Sequence, residues 1–359
     1  MQKKQVFIHV IEATATGTLS MAGMLASKQS EEGAEVVVIY SERPETPADL
    51  TPYFNDAVVL HKVNMSTFGG SLNSARKIRG TVMSYKECAV ILHSSFAGFI
   101  GRLSCLFTGR RRRFFYIPHC ISFMRKDIGG IKRVAFILLE WIGAIKNCTY
   151  IACSESERKT ISRNIPFRKC LVVENAVAFP ARSDNQVKRA KRVITVGGIR
   201  EQKGPIDYAD VAKKVASKMS DVEFVWIGNG EDQLKKTLAD SNITVTGWVD
   251  RSEVSQYLNQ ASVYLSTARW EGMPVSIIEA MYAKLPVVAS NCAGNVDVVN
   301  HGQNGWLFEN NQTAADQVIS VLLNESEASA VSDQAFVDAE SRFSPQRYYM
   351  AMNEIMRNP

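Results

Sequence analysis

Two glutamates, Glu271 and Glu279, stand eight residues apart in RWEGMPVSIIEAM (Arg269 to Met281), with a Gly-Met-Pro turn and the opening of an apolar helix between them. The preceding ASVYLST ends a strand near Thr267, and VSIIEAMYAK has helical apolar spacing. Pro274 suits the first helical position, where a missing N–H costs nothing. Gly272 lets the backbone turn tightly and approach a ligand closely. The N–H groups within residues 273 to 276, those of Met273, Val275 and Ser276, are then expected to face outward with the positive end of the helix dipole behind them. Such a helix mouth suits an anion, phosphate above all. Side chains on a helix lean toward its N-terminus, so Glu279 reaches back from the second turn, where a carboxylate can accept hydrogen bonds from a ribose diol. Glu271, before the turn, faces whatever is attached beyond the phosphate. Acids are also common near helix starts, so the spacing alone does not separate a binding site from a solvated pair.

Cations come from a second segment. VITVGGIREQKGP (Val193 to Pro205) reads as a strand, a turn at Gly197–Gly198, the bases Arg200 and Lys203, and a helix opening at Gly204–Pro205. Both bases lie in a loop at a strand's carboxyl end, where a pyrophosphate would sit. WIGNGED adds a third glycine turn at Gly228, Asn229 and Gly230. Three such loops on adjacent strands point to a phosphate ligand rather than to packing. In the first half, IEATATGTLSMAG ends a strand and opens a helix around Gly17 and Thr18, presenting backbone amides. His119 ends the strand read in FFYIPHC; its imidazole enters a cleft or serves the core.

The elements that must hold these residues alternate as short apolar strands and helices, the pattern of parallel α/β sheets. Strands are expected at 5–12, 34–41, 89–95, 114–119, 150–154 and 171–175, and again at 191–198, 222–228, 243–249, 261–267, 285–291 and 305–308. Their near-continuous hydrophobicity requires helices on both sheet faces. The 359 residues favour two domains. We read residues 1–176 as one Rossmann-like domain, 177–192 as a polar linker and 193–340 as a second such domain. The closing helix, 341–359, packs on its own domain or crosses back to the first. Two doubly wound domains leave a crevice at the carboxyl ends of their strands, where ligands bind.

Composition narrows the class. Apolar residues make up 46% and charged residues 22%, which is globular rather than disordered. Seven cysteines at irregular spacing, with no C-x-x-C pair, fit a reduced cytoplasmic compartment better than a disulfide framework or a zinc site. No signal peptide is visible, and VAFILLEWIGAI is too short to span a bilayer. The chain is therefore expected to be soluble or to sit on a membrane from one side. Residues 1–180 carry 24 Lys/Arg against 14 Asp/Glu, whereas the remainder carries 18 against 22. Between Arg102 and Arg133 nine bases face one acid, Asp127. The segment includes GRRRRFF and MRKDIGGIKR; basic residues such as Arg110, Arg111, Arg112 and Arg113, next to Phe114, Phe115 and an apolar helix, suggest contact with anionic lipid headgroups, with a plain solvated face as the alternative. Nucleic acid is not an expected partner, because no recognition motif supports it.

EGMPVSIIE resembles the E-x7-E signature of the family 4 retaining glycosyltransferases, which have the GT-B fold. VGGIREQKG, WIGNGE, TGWVDRSEVSQYLNQASVYLSTARWEGMPVSIIEAMYAKLPVVAS and NHGQNGWLF extend the match, and the ATATG loop, ILHSSFAGFIGRLS, FFYIPHC and YIACSESE are similar to the looser first-domain pattern. The resemblance implies transfer of a sugar from a nucleotide donor to an acceptor with retained anomeric configuration and no required metal or cofactor. It implies donor binding by the second domain and acceptor binding by the first. Carried over by position, Glu279 would hold the ribose and Glu271 would face the donor sugar. Lys203 would neutralise the leaving diphosphate, the turn Gly272 to Pro274, with the amides of Gly272 and Met273, would hold sugar or phosphate, His119 would contact the sugar, and Gly17 would lie near the phosphate. One departure stands out: where the family has arginine after the glycine of its V-G-R turn, this chain has Gly198. Arg200, two residues on, is the candidate replacement.

The first-domain elements further resemble bacterial enzymes of surface-polysaccharide assembly. The expectation is thus a UDP-sugar donor, a polyprenyl-diphosphate-linked glycan acceptor, and a peripheral site at the inner face of the cytoplasmic membrane. Two alternatives share the architecture. A nucleotide-sugar 2-epimerase would need no acceptor, and a two-lobed sugar-binding module would do no chemistry.

Overall fold

The computed structural model describes residues 4–12, 14, 16–43, 46–178 and 190–357. They divide into two compact units, Met1–Asn175 with Pro345–Pro359, and Ala176–Ser344. The stretch expected as a linker, 177–192, falls largely on 179–189, outside the described residues.

The first unit contains β1 (Val6–Ile11), α1 (Thr16–Glu31), β2 (Glu35–Ser41), β3 (Val59–Val63), α2 (Phe68–Ser84), β4 (Cys88–His93), α3 (Ser95–Ser104), β5 (Arg112–Ile117), α4 (Gly130–Gly143), β6 (Thr149–Ala152), α5 (Glu155–Asn164) and β7 (Cys170–Val172). All its strands are parallel, in the order β3-β2-β1-β4-β5-β6-β7. The central strands are interior on both faces; every residue of CAVILH in β4 is buried. Edge strand β3, VLHKV, escaped the sequence reading because it is half exposed and carries His61 and Lys62. Among helix starts, Ser154 caps α5 by accepting from the Glu157 amide.

The second unit runs β8 (Arg192–Val196), α6 (Pro205–Ala216), β9 (Glu223–Ile227), α7 (Asp232–Ala239), β10 (Thr244–Val245), α8 (Arg251–Gln260), β11 (Val263–Ser266), α9 (Val275–Tyr282), β12 (Val287–Ser290), α10 (Asn295–Val298), β13 (Trp306–Phe308), α11 (Asn311–Leu323) and α12 (Glu325–Arg342). Its sheet is also parallel, ordered β10-β9-β8-β11-β12-β13. Tyr208 of α6 fills the core against Trp226, and its hydroxyl donates to the carbonyls of Val193 and Val225 (3.1 Å each). Asp250 and Glu253 form a capping box that starts α8.

Helix α13 (Pro345–Arg357) belongs to the first unit. Tyr349 donates to Glu32 (2.8 Å), Arg347 to the Glu174 carbonyl (2.6 Å), and Met352 and Met356 are buried. Both sheets reverse their strand order once, between β1 and β4 and between β8 and β11. In open α/β sheets ligands bind beyond the carboxyl ends of strands at such points. Among the described residues no helix is long and apolar enough to cross a membrane.

Candidate functional site

In the second unit the loops leaving β8 and β11 lie side by side and are stitched together. Thr267 Oγ1 lies 3.0 and 2.9 Å from the carbonyls of Lys203 and Gly204. The Arg269 amide donates to the Gln202 carbonyl (2.8 Å), and Gln202 Nε2 donates to Trp270 O (3.2 Å) and Glu271 Oε2 (3.4 Å). This lattice sets Lys203 Nζ 2.7 Å from Glu271 Oε1. Burial opposes the ammonium charge, but Glu271 outweighs it and Lys203 ends with a raised pKa. Glu271 is 7% exposed, anchored through its amide to Ala293 O (2.9 Å). Gly294 follows at φ 89°, and a Cβ there would come within 2.5 Å of the Glu271 Cβ. Only glycine lets that loop close over the glutamate.

Glu279 lies buried on α9 beside Arg251 of α8 (3.5 Å). Burial raises its pKa, and Arg251 opposes the rise. Tyr264 donates to Ser276 Oγ in the first turn of α9 (2.7 Å), tying β11 to the helix mouth. Pro274 proves to be the cap residue itself rather than the first helical one, with Ile277 and Ile278 both donating to its carbonyl. Gly272 and Met273 are buried with it, and Val275 and Ser276 open the helix. Their first-turn amides find no carbonyl within the helix.

Arg200 is exposed, and its guanidinium folds over Gly198, with Nη2 2.8 Å from where a Cβ at that glycine would stand. It also lies close enough to Lys203 to oppose that residue's charge. The departure from the family's V-G-R turn thus leaves room for Arg200 to bring its charge back over position 198.

The glycines of WIGNGED are required by packing. A Cβ on Gly228 would meet the Gly197 carbonyl oxygen at 2.2 Å, and one on Gly230 would meet that of Ile199 at 2.1 Å. Asn229 O accepts from the Ile199 amide (2.8 Å). Packing of this loop onto the Gly197–Ile199 turn accounts for both glycines, so they are not by themselves evidence of phosphate.

In the first unit, histidines line the strand-order reversal. His9 of β1, His93 of β4 and His119 form a hydrogen-bonded row: His9 Nδ1 to His93 Nε2, 3.0 Å; His93 Nδ1 to His119 Nε2, 3.1 Å. At the inner end His9 Nε2 meets Gln29 Oε1 at 2.7 Å, and Gln29 Nε2 points to Met356 Sδ. A carbonyl oxygen only accepts, so His9 carries its proton on Nε2 and presents a bare Nδ1. That forces a proton onto His93 Nε2 and, one step on, onto His119 Nε2. His119 Nδ1 is left as an acceptor with no partner among the described residues. Burial pulls His9 and His119 down to about 4, and burial with the two neighbouring imidazoles holds His93 well below the ordinary range, so the row is neutral.

His119 lies two residues beyond β5, not within the strand as expected, and both it and Cys120 are left-handed (φ 54° and 85°). Buried Glu157 of α5 holds this turn, accepting from the amides of Cys120 and Ile121 (2.8 Å each) and of Cys153 (2.8 Å). Burial raises the Glu157 pKa against those hydrogen bonds. Glu157, His9, His93 and Gln29 were missed as site residues. A histidine inside a wholly apolar strand, as in VFIHVI and CAVILH, is the signal that could have found two of them. Gly17 is half-buried in the first turn of α1; its neighbours Ala13 and Ala15 lie outside the described residues.

The expected lipid contact needs correction. Arg112, Arg113 and Phe114 belong to β5, a strand between two others. Arg112 donates to the carbonyls of Val82 and Tyr85 (3.0 Å each), and Arg113 to that of Met356. Phe114 is 4% exposed, with the Lys146 ammonium 4.5 Å from its ring centroid. Only Arg110 and Arg111 of the run are exposed.

Residues 190–324 match the family model described as "Glycosyl transferases group 1". A Klebsiella pneumoniae protein described as an uncharacterised 41.2 kDa protein in the cps region is 32% identical, over 70% of this chain and 73% of that one. An Escherichia coli UDP-Gal:alpha-D-GlcNAc-diphosphoundecaprenol alpha-1,3-galactosyltransferase is 27% identical, over 76% of each chain. The Anabaena Alr3699/HepE structure in complex with UDP and glucose superposes with a TM-score of 0.80 at 15% identity, covering 98% of this chain and 99% of that one. With its two parallel Rossmann-like units and these matches, the chain belongs to the group 1 glycosyl transferases of GT-B fold and is a glycosyltransferase of polysaccharide biosynthesis.

Proposed function

We propose that this glycosyltransferase moves a sugar, with retention, from a UDP-linked donor to a glycan carried on polyprenyl diphosphate. The step would serve assembly of a surface polysaccharide (O-antigen, capsule or exopolysaccharide) at the cytoplasmic face of the membrane. The observation that carries the reading is the Lys203–Glu271 pair at the reversal of strand order, beside the α9 mouth. An ammonium has three donors, so Lys203 can keep Glu271 and still turn one toward a β-phosphate. In this reading Arg200 supplies the second cation, Glu279 takes the ribose diol, and Glu271 faces the donor sugar. The turn Gly272–Pro274 and the amide of Val275 hold sugar or phosphate. His119 Nδ1 accepts from a sugar hydroxyl, and Gly17 lies near the phosphate. The bond from the anomeric carbon to the phosphate breaks and the bond to the acceptor oxygen forms on the same face. The acceptor's proton passes to the departing phosphate oxygen. Cations fixed where that charge develops lower the barrier, and no metal is required. Two names support the choice of partners: a relative acting on a diphosphoundecaprenol-linked sugar and a structural neighbour holding UDP.

Thermal shift with UDP, GDP and their sugar conjugates tests donor binding, because a ligand of the native state raises Tm. Turnover with a polyprenyl-diphosphate-linked acceptor, followed by NMR of the new anomeric centre, tests the rest. Stabilisation by no uridine compound, or an inverted product, overturns the reading. Epimer formation from donor alone would assign an isomerase, and binding without any turnover a sugar-binding module.

A further inference from the structure

Helix α4 presents a second apolar face that nothing in the chain covers among the described residues. Its inner face is pinned: Glu140 pairs with the buried Arg102 guanidinium at 2.6 Å and accepts from Tyr150 OH at 2.7 Å. A Cβ on Gly143 would stand 2.8 Å from the same guanidinium. With that face fixed inward, the opposite one is fixed outward. Ile131, Val134, Leu138 and Ile142 follow at intervals of three and four along it, exposed by 90, 56, 55 and 45%, and Ile145, in the turn just past its end, is 68% exposed. Trp141 widens the stripe and meets exposed Phe167 edge-on at 5.7 Å between ring centroids. An ordinary surface helix shows water its polar side; here the side facing water is almost wholly apolar.

The charges around the stripe select what covers it. Arg125, Lys126, Lys132 and Arg133 are exposed at the helix's N-terminal end. Lys146, just past its other end, donates to Thr108 (2.8 Å), which brings Phe107 (91% exposed) and the Arg110–Arg111 loop to that side. The one acid between Arg102 and Arg133, Asp127, is held by Arg125 (2.9 Å), and Glu140 faces inward. A second copy across a two-fold axis would set this basic rim against itself. An anionic bilayer instead takes the apolar stripe into its acyl boundary and the rim against its headgroups.

We infer that the outward face of α4 is a docking surface for anionic lipid, which holds the first unit on the membrane. The inference deepens the proposed function and rests on it for its purpose, since a lipid-linked acceptor is met at a bilayer; the surface itself stands on exposure and charge.

The test is co-sedimentation of the full chain with vesicles of phosphatidylcholine alone and of phosphatidylcholine mixed with phosphatidylglycerol. Binding to the mixed vesicles is expected, with little to the neutral ones. It should fall by more than about tenfold in the triple variant Ile131→Ser, Leu138→Ser, Ile145→Ser, each change removing apolar contact with the acyl boundary. The double variant Lys132→Glu, Arg133→Glu should lose binding too while keeping the apolar stripe. UDP thermal shift, run on the same samples, should be unchanged. No vesicle binding by native protein that still binds UDP overturns the docking surface alone. Vesicle binding without UDP stabilisation leaves the surface standing and sinks the donor reading. Equal binding to both vesicle types, or a native dimer that the triple variant dissociates without any vesicle partition, overturns the choice of lipid.

Discussion

The histidine row predicts how the first unit responds to acid. His9 and His119 sit at about 4 in the folded chain because burial penalises the imidazolium, against an ordinary value near 6.5. A base with a depressed folded pKa stabilises the fold above the unfolded pKa and loses that contribution as pH falls through the folded one. The window is therefore from about 6.5 down to about 4. Between pH 7 and pH 5 each of the two rings withdraws about 2 kcal/mol, or about 4 kcal/mol together. His93 adds in the same direction. Glu157, raised by burial, opposes them, because protonating it favours the folded state. Urea midpoints at the two pH values measure the net loss. Ring nitrogen NMR measures its cause: with five histidines in the chain, three should remain neutral at pH 5 and carry their proton on Nε2. His61, only partly buried on β3, is an internal reference. Gln29→Leu removes the acceptor that orients the row, so those rings should become a mixture of tautomers without becoming charged. Any of the three titrating near 6.5 in folded protein, or unchanged tautomers in Gln29→Leu, would refute the reasoning.

Three further outcomes follow from the geometry. Lys203→Ala removes a donor from developing charge and should cost about 100- to 1,000-fold in kcat, far more than Met273→Ala at the helix mouth; comparable turnover of Lys203→Ala and native enzyme with the correct donor removes Lys203 from the mechanism. Arg200→Ala should weaken UDP binding in calorimetry by about tenfold, roughly the worth of one lost charge-assisted hydrogen bond, and Gly198→Arg in that background should restore it; failure to restore means that position 198 and Arg200 do not serve the same phosphate. Glu140→Leu strands the buried Arg102 guanidinium and should destabilise the first unit by about 3–5 kcal/mol in urea; a loss under about 1 kcal/mol would show that the pair does not pin α4.

Burial governs how much of this was legible. The strands that sequence periodicity found, such as AVILH in β4 and VEFVWI around β9, are interior on both faces and so carry an unbroken apolar run. Strand β3 lacks that run, because an edge strand shows half its residues to water. Glu271, Glu279 and Lys203 were visible because strand, turn and helix succeed one another within a few residues around them. Glu157 was not: it reaches the His119 turn from thirty-seven residues away, and no local spacing encodes that approach. The same limit explains the misplaced lipid contact. Four arginines beside aromatics read as a basic patch, yet β5 lies between two strands, which buries Phe114 and leaves Arg112 and Arg113 to satisfy backbone carbonyls. In α4, VAFILLEWIGAI reads as an apolar segment too short to span a bilayer, and only the inward ion pair at Glu140 shows which half is core and which half faces out.

The two sheets solve the same problem with different materials. At each reversal of strand order the chain leaves the two paired strands toward different neighbours, and the loops that begin there need contacts of their own to fix their side chains. In the second unit the support is backbone: Thr267 and Gln202 bind carbonyls of the facing loops, so Lys203 and Glu271 are positioned by hydrogen bonds that no change of pH in the physiological range removes. In the first unit the support is titratable, a row of neutral imidazoles and a buried carboxylate behind His119. Protonating His9 or His93 sets a donor against a donor and breaks the row at that link, whereas protonating His119 turns its Nδ1 from an acceptor into a donor. The group in the first unit best placed to meet a sugar hydroxyl is therefore also the one whose geometry acid should disrupt first, before the cations of the second unit lose any charge.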